Sequence, residues 1–325
     1  MKRNTVTREG TIKYAQEAVK IPAIGMTRRE AVRLAAVGLA GAGSVPLTSS
    51  FGSDKLFESD PGKEDERIKN IEEEVSHKMK KVQYEEMFPD DLKIALREFP
   101  VAYVPVGSLE WHGRHLPFGN DALKAHGILV RTAQKYGGVV VPPTYWGHMG
   151  YWQMGNHPGL SSDLVDRLFI EIFTGLVRVG FRVVIGVTGH DVKPQQESLQ
   201  KATEAISAYL ISPEGPTIGY AMMEGSLNLN DPDVGMDHAA KWETSILMAL
   251  RPELVDMKRI ESIYQKEIES GSGMNMKGCG IAGLDPRIHA SKEIGEIAIE
   301  KITDSIGQKA HELLSTINWQ NPNVQ

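Results

Sequence analysis

Carboxylate and imidazole side chains crowd one short stretch of the chain, which holds Glu110, His112, His115 and Asp121. The stretch directly follows the apolar run Val101–Val106, which predicts a buried strand. In open α/β sheets, ligands bind in the crevice outside the carboxyl ends of the strands. Mixed oxygen and nitrogen donors of this kind suit Zn²⁺ or Mn²⁺. The stretch therefore predicts one half of a metal site.

Two later segments bring similar side chains. His190 follows Gly189 where another apolar run ends, and His238 precedes a helical pattern with Glu243 in its first turn. An anion is favoured there by the helix dipole. Taken singly, such a histidine is more often a hydrogen-bonded structural residue, and such a glutamate is usually a capping residue. The prediction of a site depends on all three segments meeting at one sheet edge.

The elements that must position these residues alternate along the chain. Apolar runs predict strands at Val101–Val106, Val139–Val141, Arg182–Val187 and Thr217–Met222. Helical patterns occur at Ala122–Tyr136, Ser161–Val179, Gln195–Leu210, Ala239–Leu250 and Lys292–Ser315. This alternation predicts an α/β domain whose mainly parallel central sheet is covered by helices on both faces.

A long aromatic segment follows the second predicted strand. It contains Trp146, His148 and Trp152, and its apolar residues show no clear period. Since loops on a rigid scaffold often carry function, the segment could form a substrate wall. The alternative is a loop that packs on a neighbouring subunit.

Composition and charge exclude several classes of function. The net charge of -6 divides into +5 over residues 1–50, which hold eight basic and three acidic residues, and -11 over the remainder. A segment with this excess of acidic residues is poorly suited to bind the phosphates of nucleic acid. Cys279 is the single cysteine, so no intramolecular disulfide can form. No glycine-rich loop follows a strand, which argues against a dehydrogenase, and no apolar stretch is long enough for a good membrane span.

The first fifty residues have a different character from the rest. The pair Arg28-Arg29 precedes the weakly hydrophobic, small-residue stretch Leu34–Gly43. This pattern resembles a twin-arginine export signal, which predicts a periplasmic or otherwise exported protein. The alternative is an amphipathic surface helix on a cytoplasmic protein. We divide the chain into this signal at 1–50, a charged linker and helix at 51–81, and a catalytic domain at 82–325.

Three segments together resemble the creatininase family of metal-dependent hydrolases. They are GSLEWHGRHLPFGND at 107–121, Gly-His at 189–190, and the stretch from His238 to Ser245. The match runs in order from about residue 85 to 250. The resemblance implies a three-layer α/β/α domain, a centre of two divalent metal ions per subunit, and a homohexamer. Zinc and manganese are the expected metals, with iron as a further option.

Carried over by position, the resemblance assigns roles to particular residues. Asp121 would bridge both metals, and His238 would transfer a proton or bind substrate. The metal ligands would be Glu110, His112, Asp121, His190 and Glu243. Substrate-binding or ligand-supporting residues would be His115, Trp111, Trp146, His148, Trp152 and Asp191.

The chain departs from the creatinine-hydrolysing members near the site. Those members have a glutamate where this chain has Val192, and a glutamine is common at the position of Trp111. We therefore expect a keto-cyclitol or sugar-like ring to be opened by hydrolysis, as by an inosose hydrolase. The alternatives are an amidohydrolase acting on a cyclic amide or formamide, and a catalytically inactive binding protein on the same fold.

Overall fold

The structure is a computed structural model that describes residues 81–149, 159–209, 215–225, 237–260, 279–317 and 319. The export signal predicted at 1–50, the linker predicted at 51–81 apart from its last residue, and Trp152 lie outside the described residues.

Within the described residues, four parallel strands form one sheet with the order β2-β1-β3-β4. The strands are β1 (Val101–Val106), β2 (Val139–Val140), β3 (Val183–Thr188) and β4 (Ile218–Met223). β1 and β3 pair along their whole length, so that Val106 lies opposite Thr188 at the carboxyl end. The predicted parallel α/β sheet is confirmed. Its carboxyl edge brings residues 107–121 and Gly189-His190 together.

Helices cover both faces of the sheet. They are α1 (Pro89–Glu98), α2 (Asn120–Tyr136), α3 (Ser162–Val179), α4 (Lys193–Tyr209), α5 (Lys241–Leu250), α6 (Pro286–His289) and α7 (Lys292–Thr316). Side chains of β1 alternate between the two cores because successive residues of a strand point to opposite faces. Tyr103 packs with α2, α5 and α7, whereas Val104 packs with α3 and α4. Burial on both faces explains why β1 is an unbroken apolar run.

Element boundaries differ from the sequence-based prediction by a few residues. β3 and β4 each begin and end one residue later than predicted, and α5 begins two residues later, at Lys241. α4 begins at Lys193 because Pro194 occupies an early helical position, where its missing N–H costs nothing. α1 was not predicted, although Pro89 at its start and Asp91, which accepts from the Phe88 N–H, are ordinary helix-start signals.

The start of α2 sits directly on the carboxyl ends of two strands. A Cβ atom added to Gly107 would lie 2.3 Å from the backbone nitrogen of Ala122, and one added to Gly189 would lie 2.2 Å from the backbone oxygen of Asp121. The two glycines therefore allow main chain to contact main chain. Among the described residues, no helix combines the length and apolarity needed to cross a membrane.

Helix α7 reaches α5 through a similar contact, which gives a stability test. A Cβ at Gly295 would lie 1.9 Å from the backbone oxygen of Ser245, whereas a Cβ at Gly175 of α3 would meet nothing within 4 Å. We expect Gly295→Ala to lower the free energy of unfolding by about 1–3 kcal/mol through overpacking. The matched Gly175→Ala should raise it by roughly 0.5–1 kcal/mol. Chemical denaturation measures both, and equal effects would contradict the contact.

Candidate metal centre

All five side chains predicted as ligands converge at the carboxyl edge of the sheet. In the first group, His112 Nε2 lies 2.8 Å from Asp121 Oδ1 and 3.5 Å from Glu243 Oε2. In the second group, His190 Nδ1 lies 3.0 Å from Glu110 Oε2 and 3.1 Å from Asp121 Oδ2. Each group could hold one metal ion. Asp121 belongs to both groups and offers a different oxygen to each.

The atoms that could bind a metal face one another at short distances. His112 Nε2 and both carboxylate oxygens of Asp121 are buried and have no hydrogen bond among the described residues, despite their short separations. In addition, His112 Nδ1 lies 3.0 Å from the Glu110 carbonyl, to which it donates, so the neutral form of the ring has its lone pair on Nε2. These residues fit a cation placed between them.

The electrostatics of the group are dominated by buried charges of opposite sign. Burial lowers the pKa of His112, but Asp121 and Glu243 raise it to about 9. Burial likewise lowers the pKa of His190, which its contacts with Asp121 and Glu110 raise to about 10. Burial raises the pKa of Glu110, and His190 brings it down to about 2. The carboxylates are thus ionised at neutral pH, and they are the groups that attract a cation.

The main chain around α5 is shaped to hold Glu243. Ala239 has a positive φ of 52°, and its N–H donates to Glu243 Oε2 at 2.6 Å. Only glycine adopts this region routinely, so the conformation costs energy that the surrounding contacts must offset. Asp237 caps the helix by accepting from the N–H groups of Trp242 and Glu243.

His238 lies beside the first group. Its ring stacks on that of His112 with centroids 4.4 Å apart, and its Nε2 lies 2.8 Å from the carbonyl oxygen of Trp111. Because a carbonyl only accepts, Nε2 carries the hydrogen and Nδ1 is the basic nitrogen. Burial and the nearby His112 lower the pKa of His238, which keeps the ring neutral at pH 7. A possible ligand atom of His238 also lies near Glu110 and His112.

His115 is buried behind the ligands. Its Nε2 lies 3.0 Å from Thr244 Oγ1, next in the chain to Glu243. Burial and the charge of His112 lower the pKa of His115 to about 4. It is therefore a neutral hydrogen-bonding residue that contacts the helix carrying a ligand.

The other residues predicted to bind substrate or to support the ligands lie in different surroundings. Trp111 is buried against Gly280, whereas Trp146 is 49% exposed. His148 is buried, and its Nε2 lies 2.7 Å from the hydroxyl of Ser198. Burial raises the pKa of the Asp191 carboxyl to about 7. Trp152 is outside the described residues.

Sequence reasoning missed two buried charged residues next to the centre, Lys124 and Glu224. Lys124 Nζ lies 2.7 Å from Glu243 Oε1 and 3.0 Å from Glu224 Oε1. Burial lowers the pKa of Lys124, but Glu224 and Glu243 raise it well above its ordinary value, so the ammonium form is kept. Two signals were available. Glu224 directly follows β4, and Lys124 lies one turn after Asp121 on α2.

The fold and this edge-of-sheet cluster define a candidate metal centre of an α/β protein, and comparison with known proteins gives its family. The family model for creatininase, described as creatinine amidohydrolase, matches residues 85–309. The protein therefore belongs to the creatininase family, whose members are hydrolases.

Individual relatives have different activities. The creatinine amidohydrolase of Pseudomonas putida is 26% identical over 181 residues, which cover 49% of this chain and 68% of that protein. The 3-dehydro-scyllo-inosose hydrolase of Thermotoga maritima is 29% identical over 113 residues, which cover 34% of this chain and 36% of that protein. A solved structure described as creatininase Mn aligns with a TM-score of 0.56 at 21% identity, over 72% of this chain and 98% of that one. It shows the same fold.

Metal binding to this centre should release protons. The pKa values of His112 and His190 are about 9 and about 10, so both rings are doubly protonated and positively charged at neutral pH. Each ring must lose one proton before it can bind a metal. We expect the apparent affinity for Zn²⁺ to rise with pH up to these pKa values, with about two protons released on filling both groups. Calorimetry in two buffers of different ionisation enthalpy measures the release. Binding heats independent of the buffer at neutral pH would contradict this prediction.

Proposed function

We propose that the protein is a hydrolase with two divalent metal ions, of zinc, manganese or iron. His112, Asp121 and Glu243 would hold one ion, and Glu110, Asp121 and His190 the other. The observation that carries the proposal is the carboxylate of Asp121. It is fully buried, has no hydrogen bond among the described residues, and turns one oxygen to each group.

Ions bound there would lower the pKa of water and polarise the carbonyl group under attack. The chain's own residues account for the proton. His238 is neutral, with its basic Nδ1 fixed by the bond from Nε2 to the Trp111 carbonyl. It can accept a proton from the attacking water and pass it to the leaving atom. Three ligand carboxylates offset most of the charge of two divalent cations.

A keto-cyclitol or sugar-like ring is the substrate class that we favour. Asp191 Oδ1 and Glu224 Oε2 are buried near the centre and have no hydrogen bond among the described residues. The hydroxyl groups of such a ring could donate hydrogen bonds to these two carboxylate oxygens. The absence of a glutamate at Val192 and the identity to an inosose hydrolase support the same choice.

A cyclic amide or formamide is the second candidate, and a specific observation favours it. The creatinine amidohydrolase matches a longer part of this chain than the inosose hydrolase does. An inactive binding protein on this fold is the third candidate, and it would need no metal. The homohexamer implied by the family resemblance remains a proposal, which light scattering would test. Export, predicted from residues 1–50, also remains a proposal, which cell fractionation would test.

Two variants separate metal binding from proton transfer. We expect Asp121→Ala to lose both ions and all turnover, because both groups share this carboxylate. His238→Ala should keep both ions and lower kcat by about 10²–10⁴-fold, the usual contribution of a proton-transfer residue. Elemental analysis and steady-state kinetics measure these effects.

The matched control for these two variants is His289→Ala, which removes an exposed histidine on α6 and should change neither property. Loss of metal from His238→Ala would show instead that His238 is a ligand. Full activity in both site variants would mean that the site is misassigned.

A substrate screen tests the choice of ring. Metal-loaded protein should open a keto-inositol, and Asp121→Ala prepared in the same way should not. Lactams and formamides are the comparison substrates. Turnover of lactams alone would reject the cyclitol proposal and leave the hydrolase. Protein that takes up less than about one equivalent of Zn²⁺ or Mn²⁺ after reconstitution would reject the hydrolase itself.

A further inference from the structure

A buried ammonium group lies directly behind one of the proposed ligands. Lys124 is only 3% exposed, and its Nζ donates to Glu243 Oε1 at 2.7 Å and contacts Glu224 Oε1 at 3.0 Å. It is on α2, one turn after Asp121. A lysine is almost never buried to this degree unless it is paired, and here both partners are carboxylates.

The two oxygens of Glu243 therefore face different neighbours. Oε1 is taken by Lys124, whereas Oε2 accepts from the Ala239 N–H at 2.6 Å and lies 3.5 Å from His112 Nε2. Only Oε2 is on the side of the first metal group. Carboxylates can bind a metal through one oxygen or through both. The contact with Lys124 occupies the oxygen that the second mode would need.

Glu224 fixes the ammonium in turn. It directly follows β4 and is 3% exposed, and its backbone N–H donates to the carbonyl oxygen of Thr188, the last residue of β3, at 3.0 Å. The carboxylate is thus attached to the sheet rather than to a loose loop. Lys124 is held between a strand end and the helix that carries Glu243.

The geometry points to Lys124 as a positioning residue that restricts Glu243 to one-oxygen ligation. This inference rests on the proposed function, since it concerns the metal that His112, Asp121 and Glu243 would share. Its chemical consequence is an open coordination position. Catalytic metal sites keep such a position for water or substrate, whereas structural sites fill it with protein ligands.

Cobalt tests this inference, because Co²⁺ absorbs visible light strongly at low coordination number and weakly when it has six ligands. Lys124→Met removes the ammonium and keeps a side chain of similar length. We expect this variant to bind Co²⁺ at least as tightly as the wild type, with a weaker visible band, because Glu243 can then ligate through both oxygens. Lys135→Met, on the exposed end of the same helix, is the matched control and should keep the wild-type band.

A purely structural role for Lys124 gives a different result. Lys124→Met would then lose Co²⁺ or bind it with an unchanged band, and either outcome overturns the inference while leaving the proposed function intact. A wild-type protein that binds no Co²⁺ overturns both. If Lys124→Met does not fold, Lys124→Met/Glu224→Gln removes the charge left without its partner, and the same spectral outcomes decide.

Discussion

A carboxylate that has no access to water cannot stay charged unless cations surround it, and Asp121 is such a carboxylate. Its side chain is buried between the imidazoles of His112 and His190. Removing a charge from water costs several kcal/mol even after the protein relaxes. The two imidazoles and the ammonium of Lys124 supply the positive charge around it and around the carboxylates of Glu110 and Glu243. A divalent ion in each group would replace the protons that the imidazoles otherwise hold.

This set of charges is assembled by backbone geometry. Asp121 is in the first turn of α2, and that turn rests on the ends of β1 and β3. His190 is separated from the end of β3 by one glycine, and Glu243 lies in the first turn of α5. The sheet order β2-β1-β3-β4 puts β1 and β3 side by side, so the two metal groups are neighbours because the two strands are.

Much of this arrangement could be predicted from the sequence. β1 was predicted at its observed bounds, because an apolar run buried on both faces leaves no ambiguity. The convergence of Glu110, Asp121 and His190 followed from the rule that the carboxyl ends of parallel strands share one edge. Lys124 was missed, although it lies one turn after Asp121 on α2. A lysine in a helix is ordinarily solvated, and its burial depends on Glu224, a hundred residues further on, whose contact no local pattern encodes.

Gly189 has a consequence for how such a protein can change. Its main chain touches that of Asp121, so no side chain sets the separation of β3 from α2. The distance between the two ligand groups is therefore set by main-chain contact and not by the size of a side chain, so it is a fixed dimension of the backbone. Residues outside this contact, such as Val192, can vary without altering that dimension. A family built on this contact can diversify its choice of substrate while the reacting centre stays the same size.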